Sequence, residues 1–147
     1  MTADCRIDFY IVDSQAEQAA EAVACSLIDK AWSRGHRVLV RSRDDAQQAR
    51  LDRLLWTFRQ ESFLPHATAT SGIDAPILIA GAEDTVTTGF EVLVNLDDAP
   101  AADLASWKRI AEISSREPQR LARTRDRFRH YRSQGVEPAN HKVQSPA

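Results

Sequence analysis

Glycine is scarce in this chain, at five residues in 147, and none of the five lies in a phosphate-cradling pattern. A pyrophosphate can approach the backbone closely only where side chains are missing. The first strand-to-helix turn, Val12-Asp13-Ser14-Gln15, has no glycine, and no GxxxxGK[ST] loop occurs anywhere. The dinucleotide fingerprint and the phosphate loop are therefore both excluded. Cysteine is scarcer still: Cys5 and Cys25 stand alone, in no CxxC pair, which is no disulfide framework. The histidines are His36, His66, His130 and His141, and no two are three or four residues apart. That spacing gives no local zinc pattern, so no metal and no cofactor is expected. Apolar runs are short of membrane-spanning length. The start, Met1-Thr2-Ala3-Asp4-Cys5-Arg6, has no signal-peptide pattern, and a cytoplasmic location without membrane contact is the expectation.

Lysine is also rare, with three against sixteen arginines. The arginines are unevenly placed. From Ser71 to Glu112 eight acids face two bases, whereas from Arg116 to Arg132 seven arginines face Glu117 and Asp126. The net charge of -2 argues against a general nucleic-acid coat, but the C-terminal end is a basic pole. An apolar fraction of 43% and a charged fraction of 27% are those of a soluble globular chain. Its length suits one domain.

Strand and helix patterns alternate along the chain. Ile7–Val12 is β-prone, and Asp13-Ser14 offers a cap to a helix with Ala16, Ala20, Val23, Ala24, Leu27 and Ala31 on one stripe. Arg37–Arg41 is a second strand. A helix begins near Asp44 and buries Leu51, Leu54, Leu55 and Phe58. Trp56 and Phe63 fall off that stripe, and Pro65 pushes Leu64 toward an extended conformation. These aromatics either fill the core or form an exposed patch that docks a partner. Ala67 to Ala75 reads as a polar loop. Pro76–Ala80 and Phe90–Leu96 are a third and a fourth strand. Asp97-Asp98 and Pro100 open a helix with Leu104, Trp107, Ile110 and Ala111 inside, the two acids serving as cap rather than as magnesium ligands. A last helix runs from Pro118 to Ser133 and stops at Gly135. The expected fold is a single α/β domain over 1–135, a three-layer sandwich with a mostly parallel sheet. Residues 136–147 are expected to be a flexible tail.

No nucleophile stands beside a base, and His66 reads as a hydrogen-bonded structural histidine. The feature above the background is the last helix. Leu121, Thr124, Phe128 and Tyr131 share one face; Arg120, Arg123 and Arg127 edge it on one side, and Arg125, Arg129 and Arg132 on the other. Guanidinium groups beside an apolar stripe suit either a nucleic-acid backbone or an acidic peptide with an apolar end.

Several stretches, taken in order, carry a family resemblance. They are Asp8-Phe9-Tyr10, Lys30-Ala31-Trp32, Gly35-His36-Arg37-Val38 and Leu51-Asp52 with Leu55-Trp56. Glu61-Ser62-Phe63-Leu64-Pro65-His66 is the most specific, and Arg127-Phe128-Arg129 with Tyr131-Arg132 and Gly135 completes the set. The chain resembles the chi subunit family of bacterial DNA polymerase III, clamp-loader accessory proteins of the replisome. The resemblance implies a nucleotide-binding-like α/β fold without a working nucleotide site, and no catalytic activity. It implies two partners: the psi subunit of the clamp loader, and the acidic, phenylalanine-ended C-terminal tail of single-stranded-DNA-binding protein. Contact with DNA would be indirect. A repair helicase is a further candidate at the psi-facing surface. Trp56, Phe63, Leu64 and Pro65 would form that surface. Arg125, Phe128, Arg129 and Tyr131 would form the tail pocket, with Arg120 or Arg123 where relatives use a lysine. Two other functions remain open to test: direct nucleic-acid binding by the arginine-rich helix, and a small nucleotide-handling enzyme.

Overall fold

The first described element, strand β1 (Arg6–Val12), is largely buried on both faces, as a strand covered on two sides must be, and it buries one acid, Asp8. The computed structural model describes residues 5–58, 64–81, 84 and 89–144. Helix α1 (Glu17–Ser33) follows β1, then β2 (Val38–Arg41) and α2 (Asp45–Thr57). Strands β3 (His66–Thr68), β4 (Ile77–Ala80), β5 (Val92–Asn95) and β6 (Arg109–Ser114) come next, then α3 (Pro118–Ser133) and β7 (Ala139–Val143). Among the described residues the strands form one sheet in the order β3-β4-β2-β5-β6-β1-β7, with every pairing parallel.

Alternation along the strands builds two apolar layers. Val38 and Val40, Ile77 and Ile79, and Val92 and Val94 face α1 and α2, where Ala20, Ala24, Ile28, Leu51 and Leu55 meet them. The small alanines let α1 lie close to the sheet. Leu39, Leu93, Ile110, Ile7 and Phe9 point the other way, toward Tyr131 of α3. The result is the expected α/β three-layer sandwich. Asp44 caps α2 by accepting from the Gln47 N–H at 2.8 Å. Glu117 caps α3 by accepting from Arg120 and Gln119 N–H groups, and these bonds hold its carboxyl below the usual carboxylate range. Gly135, at φ 86°, turns the chain out of α3 in a left-handed conformation that other residues resist.

Four expectations are corrected. No helix follows Asp97: the chain there makes a single 3-10 turn at Leu104–Ser106 and then strand β6. The apparent helical stripe joined residues of a loop, Leu104 and Trp107, to residues of a strand. The Asp97 side chain instead accepts from the Asp98 N–H, and Asp98 pairs with Arg120. The supposed polar loop after Pro65 contains β3, an edge strand too short to show alternation. Phe58 lies just past α2 and is 36% exposed, outside the buried stripe. The stretch after Gly135 is not loose: β7 pairs with β1 from Asp8↔Ala139 to Val12↔Val143.

Candidate partner-binding sites

Helix α3 lies on the sheet through Thr124, Arg127, Phe128 and Tyr131. Phe128 packs on Phe9 with ring centroids 5.2 Å apart, and Tyr131 meets the same ring edge-on. The Tyr131 hydroxyl donates to Glu112 Oε2 at 2.5 Å and accepts from the Ala101 N–H at 2.7 Å. Burial and the neighbouring Glu112 carboxylate push this phenol far above its usual range. Tyr131 is therefore a core residue with no exposed surface.

The arginines of α3 divide into groups with different tasks. Arg127 is buried and donates to Glu112 Oε1 at 2.9 Å. Full burial raises the Glu112 carboxyl, against the opposing pull of Arg127, Asn95 and Tyr131. Arg120 is spent on Asp98 and Glu117. Arg123 is exposed and is not among the residues that line the cavity beside this helix. Arg125 and Arg129 border an open cavity of about 480 Å³ between α3 and the β1–β7 edge. Its apolar floor is Phe9, Ile11, Leu121 and Phe128; its rim carries Arg116, Arg125, Arg129 and Lys142. Arg129 shares its charge with Asp126 at 2.6 Å and Arg116 with Asp13 at 3.7 Å, while Arg125 makes no ion pair with a described residue. The structure thus gathers Arg125, Phe128 and Arg129, and leaves Arg120, Arg123 and Tyr131 elsewhere.

Five pocket residues were not expected there from the sequence: Phe9, Ile11, Arg116, Asn140 and Lys142. The last two belong to β7. The signal was an alternation in Ala139–Val143, whose His141 and Val143 face the α1 layer while Asn140 and Lys142 face the pocket. It was masked by two prolines and a polar composition.

The second expected surface lies at the end of α2. Trp56 is 52% exposed. Its ring stands edge-on to His66, centroids 5.1 Å apart. The His66 side chain is buried, with Nδ1 2.6 Å from the Leu64 carbonyl oxygen and Nε2 3.1 Å from both the carbonyl and a carboxylate oxygen of Asp52. It is the structural histidine expected, tying the chain after Pro65 back to α2. Leu64 is fully buried and Pro65 half-buried. Phe63 lies outside the described residues.

Both thiols are buried. Burial pushes the Cys5 thiol up to about 11 and the Cys25 thiol up to about 12, so neither is a thiolate near neutral pH. Among the described residues no three histidine, cysteine or acidic side chains group as metal ligands. No described helix is long and apolar enough to cross a membrane.

Residues 5–139 match the family model described as DNA polymerase III chi subunit, HolC. The chain belongs to the DNA polymerase III chi subunit family. A DNA polymerase III subunit chi from Pseudomonas aeruginosa is 36% identical over 138 residues, covering 94% of this chain and 96% of that protein. The Escherichia coli protein of the same name is 29% identical over 133 residues, covering 86% and 90%. One from Haemophilus influenzae is 25% identical over 129 residues. The chi family match ends at the first residue of β7, so Asn140 and Lys142 of the pocket rim lie just beyond it.

Proposed function

We infer that this chain is a non-catalytic accessory subunit of DNA polymerase III. It ties the psi subunit of the clamp loader to the C-terminal tail of single-stranded-DNA-binding protein. The observation that carries this reading is the cavity beside α3. An aromatic and aliphatic floor with four cations on the rim suits a peptide that ends in phenylalanine and carries acids and a free carboxylate. The peptide's last ring would settle against Phe128 and Leu121. Its carboxylates would meet Arg125 first, the rim arginine without a competing acid. Each rim-exposed ion pair contributes about 0–1 kcal/mol, and burying one aromatic side chain about 1.5–3 kcal/mol. Weak, salt-sensitive binding follows.

The half-exposed Trp56 supports a separate docking point for psi at the end of α2. A repair helicase would compete for that surface rather than for the α3 cavity. The test is titration of a fluorescently labelled acidic peptide ending in Pro-Phe into the full chain. Binding that Arg125→Ala abolishes is the expected result. Unchanged affinity in Arg125→Ala and Phe128→Ala, with both variants folded, would remove the cavity from the reading.

A further inference from the structure

A second charged cleft lies on the opposite face of β1. Phe9 and Ile11 face the cavity beside α3, whereas Tyr10, between them, faces α1 and lines a cleft of about 270 Å³. One wall is the end of α1, where Lys30 and Arg34 lie four residues apart and so on the same side of the helix. The facing wall is the start of β6, with Lys108 and Arg109. Between the walls runs an apolar floor of Leu27, Ala31, Val94 and Ala111. Among the described residues no aspartate or glutamate lines this cleft.

Two acids stand behind the walls. Glu91 pairs with Lys108 at 3.1 Å and with His36 at 3.3 Å. Asp8 is buried and shared by Arg109, Arg6 and His141. Five cations (Arg6, Lys30, Arg34, Lys108 and Arg109) therefore meet two acids. Lys30 and Arg34 are both exposed and make no ion pair with a described residue. Such a local excess is notable in a chain with three lysines and a net charge of -2. Two of those lysines line this one cleft.

We propose that this cleft binds the phosphodiester backbone of single-stranded nucleic acid. The two cationic walls track phosphates on either side, and the apolar floor with the Tyr10 ring takes sugar and base surface. Cations on both walls, with no described acid lining them, suit a ligand that carries a negative charge at every unit along its length, as a phosphodiester backbone does. This goes beyond the adaptor reading. It gives the chain a nucleic-acid contact that is not on the arginine-rich helix. The sheet separates it from the α3 cavity, so both are free to be filled together.

Fluorescence anisotropy with labelled oligo(dT) tests it, over a series of salt concentrations. The full chain is expected to bind at low salt, with affinity falling steeply as salt rises. Lys30→Ala/Arg34→Ala is expected to weaken binding at least tenfold and to flatten the log–log salt slope by about 1.4, for two lost contacts on a single strand. Both residues are exposed, so the thermal midpoint should not move; Lys108→Glu, also exposed, is a second variant with the same expected loss. Absence of oligonucleotide binding by the full chain at low salt overturns the proposal. So does loss of binding in Arg125→Ala/Arg129→Ala with none in Lys30→Ala/Arg34→Ala, which would assign the nucleic acid to α3. Binding of a labelled acidic peptide that Lys30→Ala/Arg34→Ala abolishes, without any oligonucleotide binding, would assign the cleft to a protein partner instead.

Discussion

Arg127 and Glu112 form an ion pair inside the layer between α3 and the sheet, Nε to Oε1 at 2.9 Å, with both side chains almost wholly buried. The pair does not stand alone. Asn95 Nδ2 donates to both Glu112 oxygens, and Tyr131 donates to Oε2. The remaining Arg127 donors reach Thr124 Oγ1 and the Asp98 carbonyl. One network thus fixes the angle of α3 against β5 and β6, and with it the wall of the α3 cavity.

Removing one member should cost more than the pair contributes. Arg127→Met leaves Glu112 buried without its countercharge, and a loss of about 3–5 kcal/mol is expected. Urea unfolding measures it. Adding Glu112→Gln to that variant should recover part of the loss, because a neutral amide needs no countercharge. A double variant no more stable than Arg127→Met would show that packing, not charge, sets the cost.

Asp8 gives a pH dependence with a defined sign. Burial by itself would raise its carboxyl, but the His141 hydrogen bond at 2.8 Å and the charges of Arg109 and Arg6 outweigh that and bring it below the usual value. A carboxyl lowered in the folded state stabilises the fold above its unfolded pKa. That contribution is lost as pH falls from about 4 through the folded value. The midpoint of urea unfolding should therefore fall with acid across this range. Asp8→Asn should be less stable at pH 7 and should show a flatter acid limb. An acid limb of unchanged slope in Asp8→Asn would place the dependence on other carboxyls.

Trp56 is expected to matter for assembly and little for stability. It is half exposed, and its ring stands edge-on to His66. Trp56→Ala should change the unfolding free energy by about 1 kcal/mol or less. It should nevertheless lose co-purification with a co-expressed psi subunit, since exposed aromatic anchors carry much of an interface's binding energy. Co-purification that survives the substitution would move psi to another surface.

The fold was legible where local chemistry and tertiary packing agree. The apolar run of β4, the Val92-Leu93-Val94 core of β5, the Asp44 cap and the span of α3 all follow from patterns within the segment. The grouping of Arg125, Phe128 and Arg129 at one cavity was legible because α3 itself holds them together. What escaped depends on partners distant in sequence. Glu112 reads as a polar break in an apolar run, and its partners Asn95, Arg127 and Tyr131 are what make a buried strand possible there. A helical wheel puts Tyr131 with Phe128, but cannot show that its hydroxyl is aimed at Glu112 and away from solvent. Strand β7 is polar because it is an edge strand, half open to water, so its composition resembles that of a loose tail. Its register becomes visible only beside β1.

That edge strand supplies the last prediction. Lys142 is exposed, faces the α3 cavity from β7, and makes no ion pair with a described residue. Lys142→Glu reverses one rim charge without disturbing the β1–β7 ladder. The affinity for an acidic peptide ending in phenylalanine should fall severalfold at low salt and converge with the unaltered chain as salt screens the rim. The thermal midpoint should stay the same. Truncation after Pro138 makes the contrast: it removes the strand that pairs with β1, exposes the Asp8 side of the sheet edge, and should lower both the midpoint and peptide binding. Were truncation to leave the midpoint untouched while Lys142→Glu weakened binding, β7 would be a wall of the site that contributes nothing to the stability of the sheet. Were Lys142→Glu to bind as tightly as the unaltered chain at every salt concentration, the rim would be confined to α3 and Arg116.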